Sequence, residues 1–140
     1  MQAQVVQLLD ELRRELGLTF IFISHDLALV SLLCDRIGVM YLGRLVEVAP
    51  ATQLFADPAH PYSRALLASV PRLEPGTLNA PPIGDLSTAS SVPEGCRFHP
   101  RCPHRIPGIC DRVDPAFHHL NPTHHVACHL YDPTILEQSA

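Results

Sequence analysis

The apolar positions of the first 16 residues repeat at the spacing of a helix. From Val5 to Leu16 they recur every three or four residues, and charged side chains fill the other faces. Gly17 follows, and glycine is common where helices end. The pattern predicts an amphipathic helix over residues 2 to 16.

A mainly apolar run comes next, over residues 18 to 24, and it leads through His25 and Asp26 into a second helical pattern that reaches residue 34. Such a run is typical of a central strand of a parallel sheet, buried on both faces. In these sheets ligands collect where strands end and helices begin, so His25 is predicted at an active edge. The residues alone leave a second reading open, in which Ser24 and Asp26 only cap the helix and His25 is a boundary residue.

Two extended runs then flank a tight turn. Residues 36 to 42 and 44 to 49 are rich in Val, Ile, Leu and Tyr, and Gly43 separates them, which predicts a β-hairpin. Residues 50 to 55 predict a short helix. Pro61 is expected to open another over residues 62 to 70, with Tyr62 packing behind it in a structural role.

The character of the chain changes near residue 71, where we place a domain boundary. Residues 71 to 95 are rich in Pro, Gly, Ser, Thr and Ala, which is typical of a linker or wrapping segment. Residues 93 to 129 hold four of the five cysteines and seven of the nine histidines, with little periodicity. Something other than a large apolar core must hold this tail together. The adjacent pairs at 118–119 and 124–125 are expected to be solvated loop histidines.

Composition narrows the possible functions. A net charge of −4 argues against a nucleic-acid partner. All ten basic residues are arginines, and without a lysine the chain cannot contain the G-x-x-x-x-G-K-[ST] phosphate loop. The sequence shows neither an apolar run long enough to cross a bilayer nor a leader, so we expect a soluble, cytoplasmic protein.

Four cysteines in the tail form a candidate metal site: Cys96, Cys102, Cys110 and Cys128. Their spacing lacks the C-x-x-C pairs of zinc ribbons, so spacing alone is a weak indication. Zinc remains possible, with His99, His104 or His129 as substitute ligands, and so do two disulfides, which a cytoplasmic location disfavours. Cys34 is predicted to be a small buried hydrophobe.

Several stretches resemble the ATPase subunits of ABC transporters. The switch-histidine region of that family is similar to Ile23-Ser-His-Asp-Leu-Ala28 followed by Asp35-Arg-Ile-Gly-Val-Met-Tyr-Leu-Gly-Arg-Leu-Val-Glu47. The segment typical of oligopeptide and dipeptide importers is similar to Leu54-Phe-Ala-Asp-Pro-Ala-His-Pro-Tyr-Ser-Arg-Ala-Leu-Leu67. The opening Gln2-Ala-Gln-Val5 resembles the helix after the D-loop, so the resemblance covers nearly the whole chain.

The resemblance implies an α/β fold. Residues 1–70 would be the C-terminal part of an ABC ATPase (P-loop NTPase) domain, and residues 71–140 a small, irregular, cysteine-rich importer extension. In this family two ATPase domains sandwich two ATP molecules, and the switch histidine, His25 in this sequence, contacts the γ-phosphate and helps to position the attacking water. The other ATP-binding motifs would precede Met1, so we expect that this chain alone neither binds ATP tightly nor hydrolyses it.

The resemblance also supplies a context for the cysteines. Importer ATPases carry a segment similar to Gly95-Cys-Arg-Phe-His-Pro-Arg-Cys102, followed by two more cysteines, and some hold a [4Fe-4S] cluster there. It implies that Cys96, Cys102, Cys110 and Cys128 are cluster ligands, with zinc as the alternative. Four arginines are expected to offset the cluster's negative charge: Arg97, Arg101, Arg105 and Arg112.

The implied function belongs to a full-length subunit that uses ATP and Mg²⁺ to power peptide uptake. Its expected partners are a second ABC ATPase subunit and transmembrane permease subunits, and its expected location is the inner face of the cell membrane. The alternative is a non-enzymatic metal- or cluster-binding interaction module, or a degenerate gene product. As a separate chain, the protein would expose a sheet edge, which predicts marginal stability or self-association.

Overall fold

A computed structural model describes residues 2–69 and 92–137. The chain divides into two compact units, residues 1–35 and residues 36–140. No helix in the described residues is both long and apolar enough to cross a bilayer.

The first unit contains the two predicted helices, α1 (Gln2–Leu16) and α2 (Leu27–Leu33). Gly17 follows α1 with a φ of +61°, a left-handed conformation that glycine adopts without strain. Asp10 pairs with Arg13 and Arg14 on the surface of α1, at 3.1 and 2.7 Å. Exposed pairs of this kind stabilise a helix only slightly.

The predicted strand over residues 18–24 is absent from the structure, and this is a correction to the sequence analysis. The segment has no regular secondary structure, and none of the described residues pairs with it as a strand. Its side chains face solvent, with Ile21 and Ile23 each 94% exposed. A strand requires backbone partners on a neighbouring strand, and an apolar sequence cannot supply them by itself. The apolar side chains of this run are therefore suited to burial, but they are exposed in the structure.

The second unit is built on a four-stranded sheet in the order β1-β2-β4-β3, with every neighbouring pair antiparallel. Its strands are β1 (Arg36–Tyr41), β2 (Arg44–Pro50), β3 (Phe117–Asn121) and β4 (His124–Ala127). The predicted hairpin is confirmed. Leu42 and Gly43 form its two-residue turn with φ of +45° and +78°, the conformation that suits the twist of a tight hairpin.

Three helices accompany the sheet: α3 (Ala51–Ala56), α4 (Pro61–Ala68) and α5 (Pro133–Glu137). Pro61 is the first helical residue of α4, as predicted, because its missing N–H would have no partner at a helix start. His60 caps α4, since its ring Nδ1 accepts a hydrogen bond from the Tyr62 N–H at 3.0 Å. Short 3₁₀ turns cover His99–Arg101 and His129–Tyr131.

The core lies between one face of the sheet and its helices. β1 alternates exposed and buried positions, which turns Ile37, Val39 and Tyr41 inward. Leu54 of α3 and Val126 of β4 are almost completely buried. The α/β class is confirmed, although the sheet is antiparallel and contains no parallel central strand among the described residues.

Strand pairing joins the hairpin to the tail, because β2 pairs with β4 through Glu47 and Val48. The predicted boundary near residue 71 falls in residues 70–91, which lie outside the described part of the chain. The division into residues 1–70 and 71–140 therefore stays a prediction.

Candidate functional site

His25 lies in the first unit, directly before the residue that caps α2. Asp26 is the N-cap, and its carboxylate accepts from the Leu29 N–H at 3.0 Å. The Ser24 hydroxyl accepts from the Asp26 N–H at the same distance. Of the two predicted capping residues Asp26 caps the helix, whereas Ser24 holds the backbone just before it, so His25 is exposed between two residues with fixed contacts. Its role toward a phosphate stays a prediction.

The four tail cysteines lie in the second unit, and all five cysteines of the chain are free thiols. Cys110 and Cys128 are buried, whereas Cys96 and Cys102 are half-buried. Cys34 is half-buried at the C-terminal end of α2 in the other unit, so it is less enclosed than the sequence predicted.

Two of the cysteine-bearing loops touch through their backbones. The Cys96 N–H donates to the Cys110 carbonyl at 2.9 Å. Beside this bond, Gly95 has a φ of +65°, and a Cβ at its position would lie 2.6 Å from the same carbonyl. Only glycine permits so close an approach, which explains the Gly95-Cys96 pair in the sequence.

The thiols are near enough to affect one another's ionisation. The pKa of Cys128 is raised to about 12, mainly by burial and in smaller part by the charges of Cys96, Cys102 and Cys110. Burial is also the main cause that raises the pKa of Cys96 and Cys102, and each is raised again by other thiols of the group. The structure therefore brings the four predicted ligands into one region.

Backbone N–H groups are directed at these sulfur atoms. The Ile106 N–H donates to Cys110 Sγ at 3.3 Å. Backbone donors that oppose the rise in thiol pKa are Phe98 and His99 toward Cys96, His104 toward Cys102 and Leu130 toward Cys128. A donor of this kind favours the thiolate, which is the form that binds metals.

The four cysteines are not arranged as ligands around a single metal ion. Within residues 2–69 and 92–137, no three His, Cys, Asp or Glu side chains are arranged as ligands of one ion. Sulfur ligands of one tetrahedral zinc lie only about 3.8 Å apart, given zinc–sulfur bonds of about 2.3 Å. An iron–sulfur cluster is larger and separates its cysteines more widely. Four thiols with backbone donors have the donor chemistry of a thiolate-bound metal centre.

Residues 95–102, called the cysteine segment below, are anchored on the hairpin. Phe98 is 3% exposed and contacts Tyr41 edge-on, with ring centroids 5.3 Å apart, and Tyr62 at 5.5 Å. The Arg97 guanidinium donates to the Leu42 carbonyl in the hairpin turn. Arg97 therefore anchors this segment to the hairpin turn. From the sequence it was expected only to offset the negative charge of a cluster.

A buried carboxylate connects three parts of the second unit, and the sequence analysis missed it. Glu47 on β2 has no exposed surface. Its carboxylate accepts from the Ala59 N–H at 2.7 Å, the His60 N–H at 2.8 Å and His124 Nε2 at 2.7 Å. The available signal was an acidic residue inside an otherwise apolar strand, because such a residue must find partners if it is buried.

The histidine pairs correct another expectation, since they are strand residues and not loop residues. His124 is 2% exposed beside Glu47. His119 and His125 face each other across β3 and β4, with ring centroids 4.4 Å apart.

The comparisons with known proteins agree with this architecture. Residues 46–110 match the model of the oligopeptide/dipeptide transporter C-terminal region, a range that holds the hairpin's second strand, α3, α4 and three of the four clustered cysteines. Over these residues the chain is similar to the C-terminal region of that family. The predicted resemblance to the C-terminal portion of an importer ATPase is confirmed.

Three relatives illustrate the match. The oligopeptide transport ATP-binding protein AppF of Bacillus subtilis is 46% identical over 134 residues, 93% of this chain and 40% of the relative. A candidate peptide import ATP-binding protein of Brucella abortus is 47% identical over 131 residues, 94% of this chain and 39% of the relative. One from Brucella melitensis has the same identity over 131 residues, 94% of this chain and 34% of the relative. The chain thus spans two fifths or less of these relatives.

Proposed function

We propose that the chain is the C-terminal part of an ATP-binding subunit that powers ATP-dependent peptide uptake by an ABC importer. The observation that carries this proposal is the 46% identity to an oligopeptide transport ATP-binding protein across 93% of the chain. The importer segment that contains His60-Pro61-Tyr62 supports it, because that segment is ordered around the buried Glu47.

The chemistry of ATP would belong to the full-length subunit with Mg²⁺. His25 would contact the γ-phosphate and help to position the attacking water. The hydrogen bonds of Ser24 and Asp26 hold the backbone around His25, and its side chain is exposed to an incoming ligand. The chain contains no lysine for a phosphate loop, so it is not catalytically competent alone.

The partners that follow are a second ABC ATPase subunit, which completes the sites, and transmembrane permease subunits. The subunit would then lie on the cytoplasmic side of the cell membrane as a peripheral protein. Nucleic acid is not a proposed partner, in keeping with the net charge of −4.

The four cysteines would hold a [4Fe-4S] cluster, with zinc as the alternative. When bound, such a centre supplies metal–thiolate bonds that crosslink the loops. Burial of Cys110 and Cys128 and the backbone donors toward the thiols support this ligand set. Its role would be structural, because residues 92–137 contain few regular elements and need a crosslink.

A chimera tests the transport function. This chain replaces the corresponding C-terminal region of the Bacillus relative, and ATP-dependent peptide uptake is measured in cells that lack the native subunit. We expect uptake with the wild-type chimera and none with a His25→Ala chimera present at equal abundance. A well-folded chimera that assembles without supporting uptake would contradict the proposal and favour a non-enzymatic module.

The metal centre is tested by iron, acid-labile sulfide and zinc content after purification without oxygen. Iron and sulfide in near-equal amounts, lost in Cys102→Ser and kept in Cys34→Ser, would support the cluster. Zinc alone would support the alternative, and absence of all three would refute the centre.

A further inference from the structure

We propose that His129 is a positioning residue of the cysteine site, which holds the turn after Cys128 against the turn after Cys110. This inference rests on the proposed metal centre. His129 opens the 3₁₀ turn next to Cys128 and is 4% exposed. Its Nε2 lies 2.8 Å from the carbonyl oxygen of Val113, sixteen residues earlier in the chain.

The partner of Nε2 determines the state of the ring. A carbonyl oxygen can only accept a hydrogen bond, so Nε2 carries the proton. In the neutral ring Nδ1 is then a bare lone pair, and it is buried without a partner among the described residues. His60 has the same arrangement, because its Nδ1 accepts from the Tyr62 N–H and the proton of the neutral ring is then on Nε2. Each buried ring is thus fixed by one backbone contact.

The Val113 carbonyl belongs to the turn that orients Cys110. The Val113 N–H donates to the Ile109 carbonyl at 2.8 Å, and the Cys110 N–H donates to the Ile106 carbonyl at 2.9 Å. The Ile106 N–H in turn donates to Cys110 Sγ. The carbonyl oxygen that accepts from His129 therefore lies in the same turn as the Cys110 thiol.

The other end of the contact is equally close to a ligand. The Tyr131 N–H donates to the Cys128 carbonyl at 3.1 Å, which closes the 3₁₀ turn around His129. One side-chain hydrogen bond therefore joins the turns that present the two buried cysteines of the site.

Other contacts near the site do not perform this task. His99 also lies by a backbone carbonyl, with Nδ1 2.9 Å from the Cys96 oxygen, but this bond spans only three residues and stays within one loop. Arg44 and Asp114 tie the segment after Cys110 to the hairpin, yet both side chains are 43% exposed. Water competes with an exposed ion pair, so the hydrogen bond from the buried His129 ring is the stronger constraint, although Val113 itself is half exposed.

Variants separate positioning from general stability. His129→Phe keeps a planar ring and removes the donor, whereas His129→Gln returns an N–H that can reach Val113. His119→Phe makes the same change at an exposed histidine of β3. Metal retained per chain is measured against a chelator, EDTA for zinc or a ferrous-iron chelator for iron, together with the visible absorption spectrum of the centre.

We expect His129→Phe to weaken metal retention by about 10- to 100-fold, the usual effect of losing a supporting contact of a metal ligand. His129→Gln should restore most of it, and His119→Phe should match the wild type. Equal retention in His129→Phe and the wild type would overturn the proposal, as would failure of glutamine to rescue. A wild type without metal would refute the proposed centre and this role together.

A measurement on the wild type needs no variant. Nitrogen chemical shifts from ¹⁵N NMR report which ring nitrogen of a histidine carries the proton. The contact with the Val113 carbonyl requires a proton on Nε2 of His129. The reverse tautomer would overturn the positioning contact even if His129→Phe fails to fold.

Discussion

At the scale of single residues, the carboxylate of Glu47 is the most consequential group outside the cysteine site. Glu47→Gln keeps the size of the side chain but removes its charge. The new amide N–H group would also point at a backbone N–H that now donates to the carboxylate. Breaking a buried charge interaction leaves its partners unsatisfied, so we expect a loss of about 3 kcal/mol in the free energy of unfolding. Urea unfolding measures it.

The matched control for that change is Glu94→Gln, which alters net charge equally at an exposed position. It should scarcely move the urea midpoint. Similar midpoints for the two variants would mean that the bonds around Glu47 contribute little.

His60 makes stability depend on pH. Burial is the main cause that lowers the pKa of His60 from its ordinary value of 6.5 to about 4, and the charge of Glu47 opposes it only partly. Below pH 6.5 the unfolded chain binds a proton that the folded chain refuses, so stability falls until pH approaches 4. The wild type should lose up to about 3 kcal/mol over this window from this one group.

His60→Asn tests this dependence, because asparagine can cap α4 and does not titrate. Urea unfolding at pH 7 and pH 4 should show a smaller decrease for the variant than for the wild type. Parallel decreases would show that His60 has an ordinary pKa.

Gly95 and Gly108 form a natural pair for testing the close approach at the cysteine loops. Both have positive φ, +65° and +80°, but a Cβ at Gly95 meets the Cys110 carbonyl at 2.6 Å while one at Gly108 meets nothing within 4 Å. Gly108→Ala should cost about 1 kcal/mol, from backbone strain alone. Gly95→Ala should cost at least about 2 kcal/mol more, since the backbone must also move. Equal thermal unfolding midpoints would contradict the contact.

At the scale of elements, the cysteine segment is attached to the hairpin mainly through Phe98. Phe98→Ala removes a ring that is 3% exposed between Tyr41 and Tyr62. Loss of a buried aromatic side chain typically costs about 3 to 5 kcal/mol. The control is Phe117→Ala, a phenylalanine that is 44% exposed on β3. Chemical denaturation compares the two, and a larger loss at Phe117 would contradict the anchoring role.

Elements that depend on local sequence were predictable. The helical spacing before Gly17, the two-residue hairpin turn and Pro61 at the start of α4 each specify their own backbone, and the structure contains all of them. The strand over residues 18–24 failed because strand formation depends on a neighbour that sequence pattern does not report. Strands β3 and β4 were not predicted, because their polar histidines made the sequence resemble a loop. In the structure β4 pairs with β2, and β3 pairs with β4.

The cysteine site was likewise predictable only in part. The four cysteines could be recognised from residue type, and the structure gathers them in one region. The contacts that place them join distant positions, such as His129 with Val113 and Glu47 with His124. No spacing rule connects residues that are 16 or 77 positions apart, so these partners became visible only in the fold.

At the scale of the whole molecule, the exposed apolar segment governs solution behaviour. Residues 18–23 include four hydrophobic side chains between 43% and 94% exposed: Leu18, Phe20, Ile21 and Ile23. An unpaired extended backbone with apolar side chains is a template for strand pairing between copies. We expect the chain to self-associate at micromolar concentration, with a sedimentation coefficient that rises with protein concentration.

Charge on the segment should suppress this association. The double variant Ile21→Lys with Ile23→Lys adds two positive charges to one face of the extended run, and paired copies would place like charges together. The control, Leu32→Lys with Leu136→Lys, adds the same charge at two other exposed apolar positions. Sedimentation should become independent of concentration only in the first variant. If both variants associate as the wild type does, another surface drives assembly. A monomeric wild type with a sharp unfolding transition would show that the apolar run is tolerated in water.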